Sequence, residues 1–424
     1  MTAAALGVGV PFIGALNMHL PRPKLALDFL TPVLDGRITA SGGANGTRVN
    51  SSGLIVAATT PRFDYDPVTL DIRGLLVEEA RTNLLLYSDD FTGAAWATQG
   101  TANVTANTVQ DTDAATASNR YQDVTIANDS STRVAQWRVA KNQAQIVALQ
   151  HQVFGGTPVN YAIALNTATG AYNTASTLGS DPGANATVTD AGGFWLVTIV
   201  LANNSTGNTT ARQRFYPAYA SSLGGGSTVA DVTLTGTATC RYMGLELGSF
   251  ATSYIPTAGS AVTRTADSLT MTGTNFSSWF NASEGTFLAE FQPLVQSIAS
   301  INNRYLCQAS NGTISDRVGM CLNPNGTLGD VVETGWVLQV LDSSVAAATT
   351  SINKAAVAYA ANNVALCLNG ATPVVDSSAT MPSGITQLNI GAALVGAEYL
   401  GGHLRSLRYY NKRLPNAHLQ GLTL

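Results

Sequence analysis

Glu78, Glu79, Arg81, Asp89 and Asp90 crowd into one stretch, GLLVEEARTNLLLYSDDFTGAAW (Gly74–Trp96), of a 424-residue chain that is only 11% charged. Carboxylates beside an arginine can do general acid–base chemistry. They can equally form a structural network, because a guanidinium grips a carboxylate through two directional hydrogen bonds. The catalytic reading needs further groups, and the sequence does not supply them. The four histidines are His19, His151, His403 and His418, and none sits in an HExxH-type metal frame. There is no G-x-S-x-G elbow. The glycines at Gly224–Gly226 read as a turn, without the strand–helix frame that cradles phosphate. The chain is therefore expected to be non-enzymatic, with no catalytic residue, cofactor or metal. Glu78, Glu79 and Arg81 are read as structural ion-pair residues.

Glycoside hydrolysis requires two carboxylates facing one bond. Glu284 and Glu290, in EGTFLAE, are the best-placed pair. Concanavalin-like glucanases carry E-x-D-x-x-E on one strand, whereas here Phe287 and Leu288 stand between the glutamates and no Asp does. Binding is the stronger alternative, since sugars are held by an aromatic face plus polar groups. Trp137 and Trp195 fall in apolar strand patterns and read as core. Trp336 follows Glu-Thr-Gly at a strand start, and Tyr216 and Tyr219 flank Pro217. These three are the candidate carbohydrate-binding residues.

The elements that must position them are strands. Charged residues normally make up about 25% of a chain. Here Gly, Ala, Thr, Ser and Asn replace them, which suits pleated strands and turns rather than exposed helices. The net charge of −4 and the lack of a basic run argue against a nucleic-acid partner. Cys240, Cys307, Cys321 and Cys367 form no CxxC pair and read as isolated buried thiols. The apolar start is broken by Pro11 and carries no Lys or Arg before Arg22. It reads neither as a signal peptide nor as a membrane span, but as a docking arm.

The fold class is accordingly all-β: an extended N-terminal arm followed by two β-sandwich domains, one a jelly roll and one concanavalin-A-like. Residues 1–86 are dense in turn signals and are assigned to the arm. Residues 87–258 carry many short strands, such as TRVAQWRVA and GGFWLVTIVL, and are assigned to the jelly roll. Residues 259–424 repeat that style. Asn369-Gly370 lies between two apolar runs and signals a hairpin. Pro415 opens a short terminal helix.

PRFDYDPVTLDIRGLLVEEARTNLLLYSDDFTGAAW (Pro61–Trp96) resembles a recurrent segment of tailed-bacteriophage virion proteins, where it precedes a carbohydrate-binding-module-like jelly roll. GGFWLVTIVL (Gly192–Leu201) and LELGSFATSYIPTAGSAVTRTAD (Leu245–Asp267) resemble a strand and the end of that jelly roll. WFNASEGTFLAEF (Trp279–Phe291) and GGHLRSLRYYNKRLPNAHLQGLTL (Gly401–Leu424) resemble the first and last strands of a laminin-G or concanavalin-A-like domain. The resemblance covers most of residues 61–424. It implies a tail fibre, spike or receptor-binding protein located in the virion and assembled in the bacterial host cytoplasm. It further implies a homotrimer that docks on other virion proteins through its arm and binds host cell-surface polysaccharide, without inserting into a membrane. Two alternatives follow: a purely structural virion component, and a polysaccharide-degrading tailspike. The resemblance transfers no named site, and the acidic cluster of a calcium-binding laminin-G domain is missing.

Overall fold

The computed structural model describes residues 21–143, 146–177, 185–220, 233–295, 302–340, 348–394 and 398–424. The docking arm expected at residues 1–20 and the turn expected at Gly224–Gly226 lie outside these segments. The described chain is all-β, with two β-sandwiches and two short helices.

The jelly-roll sandwich has two sheets of six described strands each. In the first, Thr132–Ala140 lies between Phe194–Ala202 and Gly236–Leu247. In the second, Ile146–Phe154 lies between Val159–Asn166 and Thr210–Tyr216, and Asn119–Thr125 follows on the far side of the latter. Strand alternation decides what enters the core. Ala135, Trp137 and Val139 of Thr132–Ala140 pack inward against Val147, Leu149 and Val153, while Gln136 and Arg138 face the other way. The turn at Thr169-Gly170 joins two paired strands, with Gly170 at φ 76°.

The second sandwich is not confined to residues 259–424, and residues 21–86 are not an arm. Leu25–Asp28, Arg62–Tyr65 and Ile72–Val77 are strands of its larger sheet. Two of them lie end to end along Gly402–Tyr410: Leu75–Val77 pairs with residues 402–404, and Leu25–Asp28 with residues 406–409. Thr39–Gly42 joins the opposite sheet through Asp267–Thr272. The expected boundaries at 86 and 258 mark where the chain leaves one sandwich and returns to it. The jelly roll is an insertion in that sandwich. Arg81–Asn83 and Val262–Arg264 form a two-stranded ladder at its neck, with Arg81 opposite Arg264 and Asn83 opposite Val262. Turn signals every few residues in 21–86 read as an arm without a regular core, yet Leu25–Asp28 and Leu75–Val77 are completed by partners more than 300 positions away.

The shared core shows what this pairing is worth. Leu25, Leu27, Phe29, Phe63, Leu75 and Val77 join Phe287, Phe291, Leu404 and Tyr409 in one buried cluster. Burial of such side chains stabilises by about 1.5–3 kcal/mol each, so the six N-terminal ones contribute on the order of 10 kcal/mol. A whole domain is stable by only about 5–15 kcal/mol. The terminal helix Asn416–Thr423 follows Pro415 and seats Leu419 against Leu414 and Tyr410. Asn369 and Gly370 adopt φ 49° and 72° in the hairpin that the sequence signalled.

Residues 259–424 expressed alone should therefore lack a cooperative thermal transition by circular dichroism, whereas the full chain shows one. A cooperative melt and a dispersed amide spectrum from the fragment would contradict the inserted architecture.

Candidate functional site

The charged stretch Gly74–Trp96 crosses between two cores. Leu75 and Val77 lie in the core of the outer sandwich, while Leu85, Phe91 and Trp96 lie in that of the jelly roll. Its charged side chains divide among separate partners. Glu78 is fully buried and bridges Arg62 at 2.8 Å and Arg264 at 3.0 Å. Arg62 also pairs with buried Asp267. The carboxylates accept further hydrogen bonds: the Ser253 N–H and Oγ–H donate to Glu78 at 2.8 and 2.7 Å, and the Glu78 N–H donates to Asp267 at 2.8 Å. Arg264 donates to the Thr252 hydroxyl and to the Glu79 carbonyl.

Arg81 does not join Glu78. It donates through Nε to Glu79 at 2.6 Å, caps the Leu247 carbonyl, and lies 5.0 Å from the Phe250 ring centroid. Gly248 makes this approach feasible, since a Cβ there would fall on the guanidinium. Arg81 lines a cleft of about 740 Å³ with Asp129, Arg133 and Phe250, beside the neck of the insertion. Asp89 accepts from Arg241 at 2.7 Å, and Asp90 caps the turn at Thr92. The crowding in sequence thus serves four separate local structures, with no shared site.

Electrostatics at the neck are uneven. Burial alone would raise the Glu78 carboxyl, but Arg264, Arg62 and the Ser253 hydrogen bonds hold it at about 2. Glu246 is equally buried and accepts from Gln136 at 3.0 Å and Thr252 at 2.9 Å. It has no direct arginine partner among the described residues, and burial lifts it to about 7 against the pull of Arg81 and Arg264.

A polar and aromatic strip crosses the outer face of the second jelly-roll sheet. Strand register assembles it in two rows. Asp123, Arg212, Gln152 and Asn160 stand opposite one another in turn, and Tyr121, Arg214 and Gln150 form the row beside them. Arg212 pairs with Asp123 at 2.5 Å and lies 4.3 Å from the Tyr121 ring centroid and 4.8 Å from that of Phe154. Arg214 donates to Gln150 at 3.1 Å, keeps a buried Nε without a hydrogen-bond partner, and has no carboxylate partner among the described residues. Tyr121, Phe154, Arg212 and Arg214 are all partly exposed. A stacked guanidinium beside an uncompensated one can hold a carboxylate and neighbouring hydroxyls.

The candidate aromatic residues lie elsewhere. Tyr216 shares the face of Arg214, but it and Tyr219 are each 3% exposed, packed against Ala148 and Ala164 with ring centroids 6.1 Å apart. They do not line an open groove, because Ala148 and Ala164 are too small to keep the rings from closing down on the sheet. Trp336 is 66% exposed, but it sits on the other sandwich, in the turn between Leu328–Thr334 and Val337–Val340. The strip could have been found in the sequence. In ARQRFY, Arg212 and Arg214 are two apart and so share a strand face. Glu284 and Glu290 are each held by a cation, Lys412 and Arg405, both at 2.7 Å.

No family model and no curated protein matches this chain. Among solved structures it is similar to the CBM40 module of the Ruminococcus gnavus IT-sialidase bound to α2,3-sialyllactose. The identity is 18% over 34% of this chain and 83% of that one, with a TM-score of 0.29. The NanB sialidase of Streptococcus pneumoniae is similar at 13% identity over 36% of this chain and 26% of its own, with a TM-score of 0.30. Domains LG4-5 of the mouse laminin α1 chain are similar at 12% identity over 81% of this chain and 91% of theirs, with a TM-score of 0.23. At these low scores the sheet orders themselves carry the fold assignment.

Two outcomes are expected from the neck. Glu78→Gln leaves two buried arginines short of a counter-charge and should lower stability by about 3–5 kcal/mol in denaturant titration. The pH profile should fall on both sides. Stability from Glu78 is present above 4.5 and is lost as pH drops toward 2, because its folded value is depressed. Stability from protonated Glu246 is present below 4.5 and is lost as pH rises to about 7, because its folded value is raised. Glu246→Gln should remove that alkaline loss, on the order of 3 kcal/mol, when melts at pH 5 and pH 8 are compared. An unchanged pH 5 to pH 8 difference would exclude Glu246 as its source.

Proposed function

We propose that this protein is a non-enzymatic, glycan-binding attachment protein of a tailed-bacteriophage virion. The observation that carries the binding part is the Tyr121–Arg212–Arg214 strip. It offers two aromatic rings, a stacked guanidinium and a second guanidinium without a carboxylate among the described residues, all partly exposed on the outer sheet face. Those groups suit an acidic polysaccharide. The virion assignment rests on the sequence resemblance of Pro61–Trp96, Gly192–Leu201 and Leu245–Asp267. The same resemblance supports a homotrimer. Closed cyclic assembly would multiply weak sugar sites, and linked sites can raise avidity by about 10²–10⁴.

A second reading, a structural virion component that binds other virion proteins, is favoured by one feature. Val337–Val340 is the last described strand of its sheet, and it carries exposed Val337 and Leu338 next to Trp336. An apolar edge strand is a template for another chain.

A glycan array probed with the full chain separates the readings. Binding to acidic host polysaccharide should weaken by about tenfold or more in Arg214→Ala, given about 1.5–3 kcal/mol for a charged hydrogen bond. Thermal stability should change little, because the side chain is partly exposed. If no host glycan binds while an isolated virion protein does, the structural reading replaces this one. Release of new reducing ends from capsule, abolished by Glu284→Gln or Glu290→Gln, would make the protein a depolymerase.

A further inference from the structure

A pocket of about 160 Å³ lies where the jelly roll meets the outer sandwich, on the sheet opposite the polar strip. Its jelly-roll wall includes Arg138, on the outward face of Thr132–Ala140, and Leu196 from the neighbouring strand. Its other wall includes Asp64, His403, Val49 and Ile55 from the outer sandwich. The remaining arginines that line it are engaged. Arg48 donates to the Phe63 carbonyl at 3.1 Å, and Arg73 faces Asp66 at 3.4 Å. Arg138 is not engaged. Its Nη1 is sealed from solvent without a hydrogen-bond partner, and no described residue forms an ion pair with it. Burial pushes this guanidinium down to about 10, and Asp64 offsets that only in part.

The nearby carboxylates are already committed. Asp64 accepts the Val49 N–H at 2.6 Å and the His403 Nε2 at 2.8 Å. Asp190 pairs with Lys141, and Glu78 with Arg62 and Arg264. A positive charge is therefore left over beside a pocket. Arg138 is partly buried, with its Nη1 sealed, and a charge so placed is normally paired. The three carboxylates in the same lining would repel a dianion such as phosphate. The planar fork of Arg138 matches a carboxylate, and Val49, Ile55 and Leu196 offer apolar contact to a ligand body. His403 adds a second unmet group: its Nε2 lies 2.8 Å from Asp64, and its buried Nδ1 has no hydrogen-bond partner among the described residues.

We propose that this interdomain pocket binds a small organic monocarboxylate, with the carboxylate held by Arg138 and the body lodged between the two sandwiches. Such a ligand would bridge the insertion to its host sandwich and supply the missing counter-charge. It is distinct from the polysaccharide of the outer strip and does not depend on that reading.

The test is a titration of the full chain with sodium acetate, with sodium glucuronate and with inorganic phosphate at constant ionic strength, followed by amide chemical shifts and melting temperature. At least one carboxylate should give saturable shifts at Arg138 and its neighbours and raise the melting temperature, while phosphate should give neither. Acetate binding identifies the carboxylate alone as sufficient; binding of glucuronate only identifies a sugar acid. Arg138→Gln should weaken that binding about tenfold or more. Without ligand it should melt at or above the wild-type temperature, because it removes an unpaired, partly buried charge. Neither carboxylate saturating the wild type, phosphate binding as well as they do, undiminished binding by Arg138→Gln, or a ligand-free Arg138→Gln that melts well below wild type would each overturn the proposal. The wild-type titration decides the matter alone if the variant does not fold.

Discussion

Four charges buried together at the neck of the insertion, Arg62, Glu78, Arg264 and Asp267, hold the two sandwiches in one arrangement. Each comes from a different strand or strand end: the outer sheet, the exit from it, the returning ladder and the Asp267–Thr272 strand of the opposite sheet. Taking such groups out of water is costly, and hydrogen bonds beyond the ion pairs are needed to offset the cost. Here Ser253, Thr252, the Thr47 carbonyl and the Glu78 N–H supply them, leaving the buried Arg264 Nε without a partner. Because Thr252 and Ser253 belong to the last turns of the insertion, the cluster can be satisfied only when the jelly roll has folded and its end has been drawn back to the neck.

That constraint orders the rest of the molecule. The ladder Arg81–Asn83 with Val262–Arg264 brings the ends of the insertion side by side, so the outer sandwich sees a long detour as a short loop. One jelly-roll sheet is turned toward the outer sandwich, which leaves its outward Gln136 and Arg138 in the junction. The other sheet carries the partly exposed Arg212–Arg214 strip on its outer face, beside the packed Tyr216 and Tyr219. A surface for large ligands and a pocket for small ones are thus assigned to opposite faces of one domain by the way the neck is closed.

Glu246 is the exception within the neck. The two arginines are already balanced by Glu78 and Asp267, so a third carboxylate has no full charge to meet. It accepts hydrogen bonds from Gln136 and Thr252 instead, neutral donors whose pull toward the ionised form is outweighed by burial. The junction therefore carries a pH response that its four-charge centre alone would not give.

The sequence by itself determined the all-β class, the alternation that puts Trp137 in a core, the Asn369-Gly370 hairpin and the helix after Pro415. These depend on local backbone preference and on a period of two, which neighbouring residues suffice to set. It also marked Gly74–Trp96 as a place where ions meet. It could not say which ions. Arg81 is the nearest cation to Glu78 along the chain, but Glu78 meets Arg62 and Arg264, and Arg62 meets Asp267 from 205 residues away. Nor could it show that residues 25–77 complete a sandwich begun again at 262. Their strands are short and turn-rich, and Leu25–Asp28 and Leu75–Val77 find their place in the core by pairing along Gly402–Tyr410, while Thr39–Gly42 pairs with Asp267–Thr272. Arg212 and Arg214 were legible as a same-face pair, but their rows with Asp123, Tyr121, Gln150 and Gln152 required strand register. Tyr216 and Tyr219 were legible as aromatics near a turn, and packing closed them in. Tertiary structure decided these points because a charge or an edge strand is satisfied by whatever the fold brings within about 3 Å of it, whatever the distance along the chain.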